Sequence, residues 1–519
     1  MISDRHVVTA SRVKRPGIPA GALALIAALL SGGGVRAQGV TSPAPVPAVP
    51  RAHEPAPGAA NAMDGPESAE PRAVAAVIDD YVREALRSNL SLRAEGLVLE
   101  RSLAALDAAR AHFLPTLAFD ARYTRAEGGR QLELPVGTLL NPVYSTLNQL
   151  LVAQGRPAEF AAIQNQNFNF QREREQDTRV SLRQALYAPA IPAAVRAQRA
   201  QLEAAEFDRM AVARRLKRDL TVGYLDWLKA TREVGIVEAS VALLSENLRV
   251  SDSLYRNGKV TQDQVLRARA ELLAVQQQLR DARNGDSQAR SYVDFLLNRA
   301  LDTPLEPATI EGEIGHTGHD LAALRAEALG NRPEIGQLER TIRAAESQVR
   351  VANADRRPTL SLGVDAGIND ERYDFGSGRN FGTVSLLLHW QLFDGGLTAA
   401  AVHGARAEAR RAAVLRDQTA QQIQLEVQQA LDALETSTDS LATATARAEA
   451  AHAAFRIASR KRDEGVINQV EFIDARSSLT GAELNLNVTR FDVLSRQAQL
   501  DYATASGTLP LEALTARAP

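Results

Sequence analysis

The chain has 519 residues, with 60 Lys plus Arg against 62 Asp plus Glu, no cysteine, and 45% hydrophobic residues of which few are aromatic. A formal charge of -2 leaves no basic excess for gripping phosphates, so no nucleic-acid partner is expected. Without cysteine there is no disulfide framework, thiolate nucleophile, Cys-based zinc site or lipidated N-terminal cysteine, and the longest apolar stretch, within residues 17–30, is shorter than the roughly 18 residues a spanning helix needs. Composition alone reads as a soluble helical protein.

Arg5, Arg12, Lys14 and Arg15 precede an apolar segment from Ala20 to Leu30, then three glycines and Val35-Arg36-Ala37. Basic region, short apolar core and small residues at a cleavage site form the order of a secretory signal, so residues 1–37 are expected to be removed on export. Residues 38–71 hold Pro43, Pro45, Pro47, Pro50, Pro55 and Pro57 among many alanines and read as a disordered linker.

Beyond residue 72 the chain is a tandem duplication. Ala85-Leu86 and Pro115-Thr116-Leu117 return as Ala328-Leu329 and Pro358-Thr359-Leu360, all displaced by 243 positions. Gly258, Gln262, Ala268, Arg269 and Leu272 return as Gly465, Gln469, Ala475, Arg476 and Leu479, displaced by 207. The displacements differ by 36 residues, an insertion in the first copy placed between Leu117 and Leu182. The domains expected are repeat 1 over 72–317, repeat 2 over 318–510, and a tail over 511–519.

Within each repeat, short runs of period two alternate with long heptads. Leu117, Phe119, Ala121 and Tyr123 share one strand face, as do Leu360, Leu362, Val364, Ala366 and Ile368 on a second strand; Val384, Leu386, Leu388 and Trp390 mark a third, and Val180, Leu182 and Leu186 a weaker fourth. Such runs suit a lipid-facing barrel wall or the half-buried strands of a soluble sheet. Residues 125–176, with Gly128-Gly129 and Asn141-Pro142, read as an extended extracellular loop. Val265, Leu272, Leu279, Asp286 and Val293 recur every seven residues, and Ala268, Val275, Ala282, Ala289 and Leu296 follow three behind them. Only Asp286 breaks this a/d seam, and Phe472, Leu479, Leu486, Val493 and Leu500 repeat it. Helices of about 65 residues, near 100 Å long, are expected after Pro192 and Gly396, reversing at Gly258 and Gly465 into returning helices over 259–300 and 466–507.

Four strands cannot close around a channel, but three chains supply twelve, which can. The duplicated order of helix, Pro-Thr-Leu strand, strand, long helix, glycine hairpin and helix resembles the TolC family of outer-membrane efflux and type I secretion proteins, over about residues 72–510. Leu392-Phe393-Asp394-Gly395-Gly396, and Gly465 followed by Glu471, Asp474 and Ala475, look like its signatures. The resemblance implies an α+β membrane fold and a homotrimer: a twelve-stranded barrel in outer-membrane lipid, continued by a coiled-coil periplasmic tunnel. It implies no catalysis and no cofactor. The implied partners are a periplasmic adaptor (membrane fusion protein) and an inner-membrane pump of RND or ABC type. The implied cargo is drugs, small molecules or whole proteins.

The same resemblance implies a carboxylate gate at Glu471 and Asp474, with Arg269 and Asp263 the nearest charged candidates to latch it in place of the basic residue that Ile467 replaces. Adaptor docking is expected at Gly258, Gly465, Val260 and Ile467. Phe119, Tyr123, Tyr187, Phe381, Trp390 and Phe393 are candidates for aromatic girdles at the membrane interfaces. His316, His319 and Asp320 have a spacing that can hold a metal but fall in a loop, and no metal is expected. The alternative from another class is a soluble periplasmic coiled-coil adaptor or scaffold, which would normally carry one hairpin flanked by β-rich domains of lipoyl type.

Overall fold

The computed structural model describes residues 72–169, 172–310, 320–372 and 379–510. The expected signal, linker and tail, and His316 and His319, lie outside the described residues. The first copy runs through α1 (Val74–Ser88), α2 (Leu90–Ala111), β1 (Thr116–Arg125), β2 (Gln131–Leu134), α3 (Val136–Ala153), β3 (Gln166–Asn169), β4 (Arg174–Tyr187), α4 (Ala190–Arg256) and α5 (Gln262–Leu297). The second runs through α6 (Leu321–Asn331), α7 (Pro333–Ala354), β5 (Thr359–Asp370), β6 (Asn380–His389), α8 (Leu397–Asp463) and α9 (Gln469–Thr504). The long helices α4 and α8 have 67 residues each, about 100 Å at 1.5 Å per residue. The returning helices α5 and α9 have 36 residues each, shorter than the sequence reading because the turn after each glycine takes three residues and left-handed Asn298 or Ala505 ends the helix three residues early.

The duplication extends to the backbone of non-identical residues. Asn89 and Arg332, 243 positions apart, both break a helix with extended dihedrals, φ/ψ -63/129 and -67/120. Asn89 accepts the Leu92 amide at 3.1 Å and donates to the Leu296 carbonyl at 2.9 Å. Arg332 is paired with Glu334 at 3.0 Å and Glu426 at 3.3 Å. Asn298 and Ala505, 207 apart, are the described non-glycine residues with left-handed φ, at 55° and 53°. Each ends a returning helix, the next amide reaching back to Asp294 or Asp501 at 2.9 Å.

The helices form two tiers. In the tier next to the sheet the neighbours run α2, α4, α7, α8; in the far tier they run α5, α4, α9, α8. Each tier is therefore four helices wide, with α2 or α5 at one edge and α8 at the other. Asp286, the polar break in the α5 heptad, accepts a 2.6 Å bond from the Thr231 hydroxyl of α4, which settles it at the seam. Between the tiers Val77, Val82, Leu220, Tyr224, Val293 and Leu297 are buried in one core. Tyr224 donates to the Glu306 carbonyl at 2.7 Å and Tyr81 accepts the Glu306 amide at 2.9 Å, tying the connection after α5 to α1 and α4.

The strands form an antiparallel sheet of order β1-β4-β5-β6, leaving β1 and β6 as its edges. These are the strands next in sequence to α2 and α8, so sheet and helix edges coincide. The insertion is placed where the displacement put it, between β1 and β4, but it is not simply an extended loop. Leu132 pairs with Phe168 in a β2-β3 ribbon, and α3 lies against the returning segment. Asn141 exchanges two 2.8 Å bonds with the backbone of Ile163, and Asn148 accepts the Phe160 amide at 3.0 Å. Asparagine and proline at 141–142 favour the loop reading because their local preference ignores such side-chain to backbone pairing.

Candidate functional site

The sheet has two chemically distinct faces. Register aligns Leu117, Leu182, Val364 and Val384 across all four strands, and Phe119, Val180, Ala366 and Gly382 in the adjacent row. Leu117, Phe119, Val384, Leu386 and Leu388 are exposed, Val384 by 74%. On the opposite face Asp120 lies opposite Arg179, and Arg122 opposite Asp177. Arg183 pairs with Asp365 at 3.1 Å, Arg122 with Asp177 at 3.4 Å, and Arg179 also with Asp177. An exposed leucine belt backed by paired charges is the inverse of a soluble sheet packed on a core, and fits a wall with lipid outside and water inside.

The aromatic candidates divide between these faces. Tyr123 lies towards the insertion end, while Tyr187, Trp390 and Phe393 lie exposed at the helix end, where the Trp390 indole donates to the Arg356 carbonyl at 3.1 Å. Phe119 sits mid-strand. Phe381 pairs with Gly367, in the row of Asp120 and Arg179, so it belongs to the charged face and leaves the girdle. Gly367 has no side chain to oppose it.

At the helix end the signature 392–396 turns the chain. Gly395 and Gly396 take φ of 66° and 92°, which only glycine adopts easily. The Asp394 carboxylate accepts the amides of Gly396 at 2.9 Å and Thr398 at 2.7 Å, capping α8. Bonding from the Thr398 side chain, then from these amides, holds the Asp394 carboxyl below the usual carboxylate range. The first copy uses Pro189 in place of this cap.

At the far end the hairpins reverse by the same motif. Gly258 and Gly465 take φ of 69° and 74°; Lys259 bonds back to Leu254 at 2.9 Å and Val466 to Lys461 at 2.7 Å. Val260 and Ile467 are half-buried beside them. Asn468 accepts the Glu471 amide at 2.9 Å, capping the start of α9, and its side-chain amide donates to the Glu471 carboxylate at 3.2 Å. Glu471 therefore has a local structural job, whereas Asp474 and Arg269 are exposed and make no ion pair among the described residues. Asp263 pairs with Arg267 at 3.9 Å, so the structure does not bring Arg269 or Asp263 to the carboxylates.

Sequence reasoning passed over a cluster in the second hairpin. Arg462 lies 4.0 Å from the Phe472 ring, Phe472 is 5.7 Å from Phe455, and Arg476, the repeat counterpart of Arg269, lies 5.5 Å from Phe455. Burial pushes both arginines below their ordinary range, against the attraction of Asp463 and Glu246 on Arg462 and of Glu483 on Arg476. The signal was present: the residues that are Leu248 and Val265 in the first copy are Phe455 and Phe472 in the second. That exchange gives equivalent arginines different roles, one solvated and one stacked on aromatic faces.

The outer membrane efflux protein family matches residues 81–299 and 324–506, both repeats with the barrel wall and hairpins just described. The chain belongs to the outer membrane efflux protein family. It is 24% identical to the solvent efflux pump outer membrane protein SrpC of Pseudomonas putida over 291 residues, 56% of this chain and 62% of that relative. Its fold is similar to the CmeC outer membrane channel of Campylobacter jejuni, with a TM-score of 0.67 at 16% identity, covering 88% of this chain and 94% of the other. It is likewise similar to the outer-membrane channel OprN, with a TM-score of 0.66 at 20% identity over 84% and 91% of the two chains. Membership of this family puts the chain in the outer membrane of a Gram-negative cell with its long helices in the periplasm, and sets aside the soluble adaptor.

Proposed function

We propose that three copies of this chain form the outer-membrane exit duct of a tripartite export system, receiving small molecules, drugs or proteins from an inner-membrane pump through a periplasmic adaptor. The observation that carries this is the coincidence of open edges. Among the described residues β1, α2 and α5 have no neighbour on their outer side, and at the opposite side β6 and α8 have none. An edge strand with unpaired amides and carbonyls cannot remain open in lipid, and a head-to-tail contact between unlike edges closes into a ring. Three sheets then give a twelve-stranded barrel, and three four-helix tiers a twelve-helix tube.

The hairpin tips form the entrance. Three copies of Glu471 and Asp474 place six carboxylates there, which favour cations and repel anions, and Gly258 and Gly465 with Val260 and Ile467 offer the adaptor two similar turns per chain. Purified protein in planar bilayers should conduct in discrete steps. Glu471→Gln with Asp474→Asn should lower the cation-to-anion permeability ratio about three-fold, Gln being chosen because its side-chain oxygen can keep the bond from the Asn468 amide. A ratio unmoved by the double substitution would remove the gate from these residues. Absence of any conductance in the unaltered protein would remove the duct.

A further inference from the structure

The insertion in the first copy carries its polarity the wrong way round for a domain in water. Gly137, Asn141 and Asn148 of α3 face the returning segment, where the two amide side chains are stitched to backbone groups. A Cβ at Gly137 would lie 2.2 Å from the Ile163 carbonyl oxygen, so this close approach requires glycine. The rest of the helix exposes Leu139, Leu140, Val143, Leu147, Leu150 and Val152, and of these Leu140, Val143, Leu147 and Leu150 form a stripe spaced three, four and three residues apart. Those are successive a and d positions of a heptad, with Val136 continuing the seam. All 18 residues of α3 are uncharged.

From these observations we propose that the seam on α3 is covered by the α3 helices of the two other copies of this chain, packed as a three-helix cap over the extracellular mouth of the barrel. This rests on the trimeric reading. The insertion leaves from the end of β1, the edge strand through which that reading joins one copy to the next, at the end away from the helices. The cap therefore continues the same interface. A barrel of twelve tilted strands is roughly 25 Å across, and α3 is about 27 Å long, so three such helices reach the axis from its rim. Identical helices without charge meet with no like-charge repulsion. Lipid is a poorer occupant, because helices that lie in a membrane surface set Lys and Arg on their polar face, and α3 has none.

The chain has no cysteine, so a single introduced thiol reports its own neighbours. Leu147→Cys and Leu140→Cys on the seam, and Gln149→Cys on the far side of α3, would be oxidised in detergent-purified protein, with mass measured on the same samples by light scattering. The two seam variants should give covalent dimers about ten-fold faster than Gln149→Cys, because the cap raises the local thiol concentration. Trimers that cross-link equally slowly at all three positions would overturn the cap while leaving the trimer standing. So would quenching of a fluorophore at position 147 by brominated lipid, which would give the seam to the membrane. Monomers would overturn the cap together with the reading beneath it.

Discussion

Gly367→Val is expected to abolish channel assembly, whereas Gly382→Val, in the neighbouring strand, should leave it intact. At Gly367 a Cβ would lie 2.3 Å from the Thr178 carbonyl oxygen and 2.7 Å from the Arg179 Cα, both backbone atoms of the paired strand β4. Neither can move without parting β4 from β5, the pairing that joins the first copy to the second. Overpacking of this kind costs about 3 kcal/mol or more, and here it falls on the joint that sets the register of all four strands. At Gly382 nothing lies within 4 Å of the added atom, so the same side chain enters open space on the apolar face. Outer-membrane fractions should contain less than about a tenth of the normal channel for Gly367→Val and near-normal amounts for Gly382→Val. Equal amounts of the two would show that the sheet does not pair as described.

The second large effect separates the two faces. Val384 and Thr383 are neighbours on β6 that point to opposite sides. Val384→Arg puts a charge on the exposed leucine belt and should cost about 2 to 4 kcal/mol per chain near the bilayer midplane. Thr383→Arg puts it opposite Asp365, where a carboxylate and water await it. Membrane-inserted protein should fall steeply for the first and stay within about two-fold for the second. The reverse order would turn the barrel wall inside out.

Much of the architecture was legible because the duplication supplies an internal control. The two displacements located the insertion, and the heptads required long helices whose reversal points glycine alone could mark. The strands were harder: Leu117 or Val384 in alternation fits both a lipid-facing wall and half a soluble core, and only the register that lines Asp120 against Arg179 tells them apart. Phe381 was assigned to the girdle by its chemistry and nearness to a strand end, but a side chain's face follows from pairing, which places it in the row of Asp120 and Arg179 on the charged face. The helix in the insertion was missed because Asn141 and Asn148 act through tertiary bonds to backbone that local propensity cannot see. For the proposed gate, the resemblance and the position after Gly465 singled out Glu471 without revealing that Asn468 engages it in a cap. The stacked arginine at 476 needed comparison of the two copies position by position.

In the proposed trimer, open edges of unlike kind close three chains into one membrane-inserted ring. The mass of protein extracted from outer membranes, measured by light scattering with the detergent contribution separated, tests it most directly. Three chains within a detergent belt are expected. A single chain that stays dissolved after the detergent is removed would contradict the account.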